Sequence, residues 1–282
     1  MTLHPFRDLT TVTPRGAGRY TAHIDPIWTI GPKVHGGCLM AVCAAAARSE
    51  LFETAPPEMP LDPAVVPLAV SASYLNAPDP GEVDAVVTVR KRGRQVSLVD
   101  VELSQSGRPA VHAAVTMGVP DAEEPHYTEE QTLAQLPVEP PAEAHALVAD
   151  HPMAQVVHVS QGCDLSVDTS SAHFLSGKQG EPQVRMWARP WSADEEDPVT
   201  AALFAIMTGD VSAPVTMNRG MFGWAPTVQL TTYLRRQPAP GWLRVRASST
   251  VLGGTWFEED HTVLDSTGAV VVQSRQLAMI PR

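Results

Sequence analysis

The chain has 282 residues, is 44% hydrophobic and carries a formal net charge of −11, a composition typical of a folded soluble protein and a length suited to one large domain or two of about 140 residues each. The acidic balance argues against nucleic-acid binding, which depends on Lys and Arg neutralising phosphates. A local cluster such as "RKRGR", Arg90–Arg94, can still meet a small anion, although a solvated hairpin end is the favoured reading of that run.

In chain order, the opening "MTLHPFRDLTTVTPRG" has no apolar core or small-residue cleavage site of a secretory signal, so a cytoplasmic location is expected. Cys38, Cys43 and Cys163 have no metal or redox spacing, and their odd number fits buried thiols in a reducing compartment. A strand is predicted over "GRYTAHID" and a helix over "HGGCLMAVCAAAARSELFE". From Cys38 to Ala47 that helix is apolar on every side, so it must be buried all round. Its alanines keep it thin enough for a curved sheet to wrap it closely. The apolar run is too short to span a bilayer. Four strands follow, at roughly 67–76, 82–92, 95–104 and 109–118, with "RKRGR" and "SQSGRP" as turns. "NAPDPG", between the first two, is too long for a tight hairpin and predicts a longer connection or crossover. Residues 121–150 are rich in Glu and Pro and read as a surface linker with one helical turn near Glu129–Leu136.

The pattern then returns, which is the signature of an internal repeat. "QVRMWARP" reads as a strand and "DPVTAALFAIMTGD" as a helix. Pro226–Pro281 then parallels Pro67–Pro120: Tyr74-Leu75 aligns with Tyr233-Leu234, Gly81 with Gly241, Gly107 with Gly268 and Pro120 with Pro281. "RQPAPG" repeats the long link, and "LGGT" and "DSTG" repeat the turns. Each half reads β–α–β–β–β–β. The expected organisation is an N-terminal unit over 1–120, a linker over 121–150 and a C-terminal unit over 151–282.

A long apolar helix wrapped by an antiparallel sheet is the hotdog architecture, so the predicted fold class is α+β, a double hotdog. The segments "IWTIGPKVHGGCLMAVCAAAA", "SASYLNAPDPGEV", "WAPTVQLTTYL", "PAPGWLRVR" and "LDSTGAVVVQSRQLAMIPR" make the chain resemble the TesB-like acyl-CoA thioesterase II family over nearly its whole length. That resemblance implies hydrolysis of fatty acyl-CoA, a role in fatty acid metabolism, no covalent intermediate and no cofactor. It also implies a water positioned by an Asp, a Thr and a Gln of the second unit, which fall here on Asp210, Thr227 and Gln276. Homo-oligomers are expected, as hotdog units commonly associate; no membrane span and no metal are expected.

The residue types suit that chemistry. A carboxylate such as Asp210 can align the water or take its proton, best when partly desolvated. Thr227 can accept from the water and donate to the carboxylate, while Gln276 offers both a donor and an acceptor; neither is a base at neutral pH. "HGG", His35–Gly37, opens the first helix, whose N-terminus leaves unpaired N–H groups and partial positive charge for an oxyanion. In hotdog pairs the helix start of one unit faces the acid of the other, so the resemblance implies that Gly36 or Gly37 serves Asp210 from the other half. The first half has Leu68 and Val115 at the aligned positions of Thr227 and Gln276, which predicts one active site per chain. Taken singly, each residue has a plainer reading: Asp210 ends a helix, Thr227 and Gln276 are ordinary strand residues, His35 is a cap or solvated, and the glycines serve close packing. Trp28, Trp224 and Trp256 either line an acyl pocket or fill the core. A non-catalytic acyl-CoA binding protein and a hotdog enoyl-CoA hydratase or dehydratase using His35 are the competing functions.

Overall fold

The computed structural model describes residues 3–148 and 152–281. Its first half runs through helix α1 (Pro5–Thr10), strands β1 (Val12–Gly16), β2 (Arg19–Ile24), β3 (Thr29–Ile30) and β4 (Lys33–Val34), and the long helix α2 (Gly36–Glu53). Strands β5 (Val66–Tyr74), β6 (Gly81–Lys91), β7 (Val96–Gln105) and β8 (Arg108–Gly118) complete it. The second half comprises β9 (His145–Ala146), β10 (Cys163–Val167), β11 (Gln183–Pro190), α3 (Ser192–Glu195), α4 (Pro198–Thr208), β12 (Thr227–Leu234), β13 (Leu243–Ser248), β14 (Trp256–Leu264) and β15 (Val270–Met279).

Among the described residues, thirteen strands form one sheet in the order β1-β2-β6-β7-β8-β5-β12-β15-β14-β13-β11-β10-β9, with every pairing antiparallel. The halves meet at β5 and β12. β5 leads into β6, which pairs with β2 and β7 rather than with β5, so the Pro-rich links cross over as expected. The sheet curls around α2 and α4, giving the double hotdog.

Every residue of α2 from Gly37 to Ala47 is buried. Burying side chains such as Leu39, Met40, Val42 and Leu51 contributes roughly 1.5–3 kcal/mol each. Helix α4 starts where Pro198 follows Asp197, whose carboxylate accepts from Thr200 N at 2.9 Å, a strong N-terminal signal. The start of α2 meets the end of α4 so closely that a Cβ on Gly37 would lie 2.5 Å from the Met207 carbonyl oxygen. No helix among the described residues is long and apolar enough to cross a membrane.

The two halves align one residue differently from the sequence reading. β5 carries a register irregularity between Pro67 and Ala69, and β12 carries one between Thr227 and Gln229. Matching these bulges makes Pro67, not Leu68, the counterpart of Thr227. Tyr74 then matches Leu234, both turned inward, while Tyr233 faces out and is 47% exposed. Gln229, Thr231 and Tyr233 match Ala69, Ser71 and Ser73, not Val70, Ala72 and Tyr74. Val115 remains the counterpart of Gln276.

The linker's helical turn is a 3-10 turn at Thr132–Gln135. The segment does more than join two units: Leu133 is buried, Trp187 Nε1 donates to Pro137 O at 2.9 Å, and Arg244 donates to Leu136 O at 3.1 Å. In the basic run, Arg92 donates to Leu51 O at 2.7 Å and Thr54 Oγ1 at 2.6 Å, closing the end of α2, and Arg90 pairs with Asp100. The three cysteines are free and buried, and Trp28 is a core residue packed edge-on against Phe6.

Candidate active site

Asp210 leaves the last turn of α4, its N–H bonded to Met207 O at 3.1 Å. Ser274 on β15 donates to Gly209 O at 2.7 Å and pins that turn to the sheet. The Asp210 side chain, 10% exposed, lies against the N-terminus of α2. A Cβ on Gly36 would stand 2.6 Å from Asp210 Oδ2, so the carboxylate's position requires glycine there. The Gly37 N–H lies near the carboxylate and favours its charged form. His35 Nε2 donates to the Asp210 carbonyl oxygen at 2.9 Å and lies 3.7 Å from Oδ2. The acid neighbour of His35, not evident in the sequence, is therefore Asp210. Tyr74 donates to Gly36 O at 2.9 Å and holds the other side of the helix start.

Burial raises the Asp210 carboxyl above its ordinary range; nearby His35 and the Gly37 N–H pull it back. Of the two glycines, Gly36 is the one that lines the adjacent cavity. Gly37 serves both the carboxylate and the close packing of the two helices.

Thr227 and Gln276 come together across the β12–β15 pairing, with Thr227 Oγ1 donating to Gln276 Oε1 at 2.6 Å. The Thr227 proton is directed to the amide rather than to the carboxylate, contrary to expectation. Gln276 Nε2 donates to Glu259 Oε1 at 3.1 Å. Glu259 is directly opposite Gln276 in the β14–β15 register and is fully inside. Burial is the main cause that pushes its acid up to about 8; the Val215 N–H opposes this and Asp210 adds to it. His261, two residues on and on the same face, is pushed down to about 4 by burial. Ser212 Oγ lies 3.0 Å from His261 Nε2.

Asp210, Thr227, Gln276, His35, Gly36, Ser212 and Glu259 share the walls of one cavity of about 660 Å³. Away from this polar corner the walls are apolar, including Leu39, Val157, Val167, Met186 and Phe257. Trp224, half exposed, lies on this cavity's wall, whereas Trp28 and Trp256 do not line it. Glu259 and His261 were missed by the sequence reading. The signal was present: "WFEEDHTVL" alternates with Phe257 and Val263 inward, a phase that puts Glu259 and His261 on the same inner face.

Comparison with known proteins gives a consistent result. The family model described as acyl-CoA thioesterase N-terminal domain matches residues 24–118, and the one described as acyl-CoA thioesterase C-terminal domain matches residues 137–280. An uncharacterized protein of Mycobacterium tuberculosis is 44% identical over 276 residues, covering 93% of this chain and 91% of that one. Among solved structures, a Thermobifida fusca protein provisionally named a thioesterase II is similar with a TM-score of 0.81 and 25% identity, covering 100% of this chain and 99% of that one. A protein of unknown function with a hotdog fold from Alicyclobacillus acidocaldarius gives 0.78 and 17%, over 100% and 99%.

Proposed function

The chain belongs to the acyl-CoA thioesterase family, and from that premise we propose that this thioester hydrolase cleaves fatty acyl-CoA to fatty acid and CoA by direct attack of a water held by Asp210, Thr227 and Gln276. One observation carries the reading: a desolvated carboxylate, a hydroxyl–amide pair and a helix N-terminus converge on the walls of one largely apolar cavity. The apolar walls suit an acyl chain, and the polar corner suits its thioester.

In this mechanism Asp210 takes a proton from the water as its oxygen attacks the carbonyl carbon. A carboxyl raised toward working pH is the better base for that step. The Thr227 hydroxyl hydrogen is directed to Gln276 Oε1, so its lone pairs accept from the water, and the remaining Gln276 amide hydrogen fixes the water's orientation. The Gly36 N–H at the helix start stabilises the carbonyl oxygen as it gains charge. The C–S bond then breaks, and the proton on Asp210 passes to the CoA sulfur. His35 is bonded to backbone and positions the acid's loop.

The test is to incubate the purified protein with acyl-CoAs of graded chain length and measure free thiol. Turnover is expected, rising with chain length until the cavity is filled. A folded sample that binds these esters and releases no thiol at any length refutes the reading in favour of a binding protein. Light scattering on the same sample tests the expected homo-oligomer.

A further inference from the structure

One buried acid has no part in those steps. Glu259 lies on the inner face of β14, 1% exposed, and its two oxygens are divided between two structural elements. Oε2 accepts the Val215 N–H at 2.9 Å, and Oε1 lies 3.3 Å from Ser212 Oγ. Both partners belong to the segment that carries the chain away from Asp210, so this segment anchors the Glu259 carboxyl. Oε1 also accepts from Gln276 Nε2 at 3.1 Å. The Gln276 amide is thereby gripped at both ends, by Thr227 at its oxygen and by Glu259 at its nitrogen. An amide held at one end can turn about its terminal torsion, a broad and roughly two-fold well. Held at both ends, it presents one fixed hydrogen and one fixed lone pair.

We propose that Glu259 is a positioning residue for the hydrolysis, acting through Gln276 by fixing the orientation of its amide. It makes and breaks no bond itself. The proposal rests on the reading of Asp210, Thr227 and Gln276 given above. Two further observations support it. Burial keeps Glu259 protonated near neutral pH, which spares the pocket a second full negative charge beside Asp210. The first half, which has no polar pair to orient, has Val99 at this position, opposite Val115.

The experiment is a double-mutant cycle. Glu259→Val and Glu259→Gln are each made alone and in a Gln276→Ala background, with kcat, KM and melting temperature measured on an acyl-CoA that the wild type turns over. E259V is expected to lower kcat about 100-fold, the scale of an ångström of lost alignment, with KM within about threefold. E259Q, which keeps the length and one acceptor, should lose about tenfold, and in the Q276A background both changes should cost less than about threefold. Equal losses in both backgrounds, or a kcat for E259V within about threefold of wild type, overturn the proposal. Should E259V fail to fold, the E259Q cycle decides alone. D210N in the same assay separates the two levels. If D210N keeps full turnover, the mechanism fails and the proposal with it. If D210N is inactive while E259V is intact, the positioning role alone fails.

Discussion

The two halves of the sheet put nearly the same backbone to opposite uses. At matched inward positions the second half has Thr227, Glu259, His261, Ser274 and Gln276, where the first has Pro67, Val99, Val101, Ala113 and Val115. Even the bulge is shared. In the first half these side chains close on α2 as ordinary core, and burial there is favourable without further conditions. In the second half each buried polar group needs a partner, because an unpaired one costs about 1–3 kcal/mol. Most partners are supplied mutually: Thr227 to Gln276, Gln276 to Glu259, Glu259 to Val215, and Ser274 to Gly209; His261 is partnered through Nε2 by Ser212, while its Nδ1 is buried without one. A site can thus be written into a hotdog unit without altering its fold, provided the polar residues arrive as a connected set. The first half supplies the reverse service, a helix start with two glycines that the second half's acid can approach.

Several changes would break or sharpen this contrast. The largest effect is expected from Asp210→Ala, which removes the acid while leaving the scaffold half untouched. Thiol release should fall by about 10²–10⁴-fold, the usual value of a general base, with melting temperature nearly unchanged. A variant that keeps full rate would take Asp210 out of the chemistry. A second change imports site chemistry into the scaffold. Val115→Gln places an amide where its neighbours are Val70 and Val99. With no partner there, it should lower unfolding free energy by about 1–3 kcal/mol in a denaturant titration, while KM for the acyl-CoA stays the same. An unchanged midpoint would mean that the first half can accommodate polarity after all.

The smallest effect concerns pH and arises from the second half. Glu259 is raised from an ordinary 4.5 to about 8. Its contribution to stability is complete below the lower value and is lost as pH rises to the upper one. His261 is lowered from 6.5 to about 4, so its contribution is complete above 6.5 and is lost as pH falls. Between roughly 4.5 and 6.5 the two trends oppose each other; from 6.5 to 8 the Glu259 loss remains. Melting temperature should therefore decline across pH 6.5–8 in the wild type, and E259Q should flatten that decline. A profile unaffected by E259Q would contradict the burial-raised acid.

Much of the architecture was legible in the sequence because it follows from local rules. A helix apolar on every face, β-branched runs and two Pro-rich links read correctly as a wrapped helix, strands and crossovers. The repeat's register was not, because the shared Tyr-Leu dipeptide at Tyr74 and Tyr233 pulls the alignment one residue off. Residues 68 and 228 sit within the bulges, and a bulge leaves no signal in composition. One residue of slip exchanges the faces of a strand, which is why an inward Tyr74 was matched to an outward Tyr233. Asp210, Thr227 and Gln276 were reached through family likeness, and the structure brings them to one cavity. Glu259 was hidden in an acidic run that reads as solvated until the strand's phase is counted from Phe257.

The seam between the halves also bears on how the chain is made. Ser71 on β5 and Thr231 on β12 are hydrogen-bonded neighbours separated by 160 residues of chain. The finished first half ends with β8 at Gly118 and β12 is complete at Leu234, so at about 5–20 residues per second a ribosome would expose that half for roughly 6–23 seconds. Throughout that interval one edge of β5 is unpaired, a template for any other strand nearby. Its outward side chains, Ala69, Ser71 and Ser73, are small and offer such an intruder little apolar surface to hold.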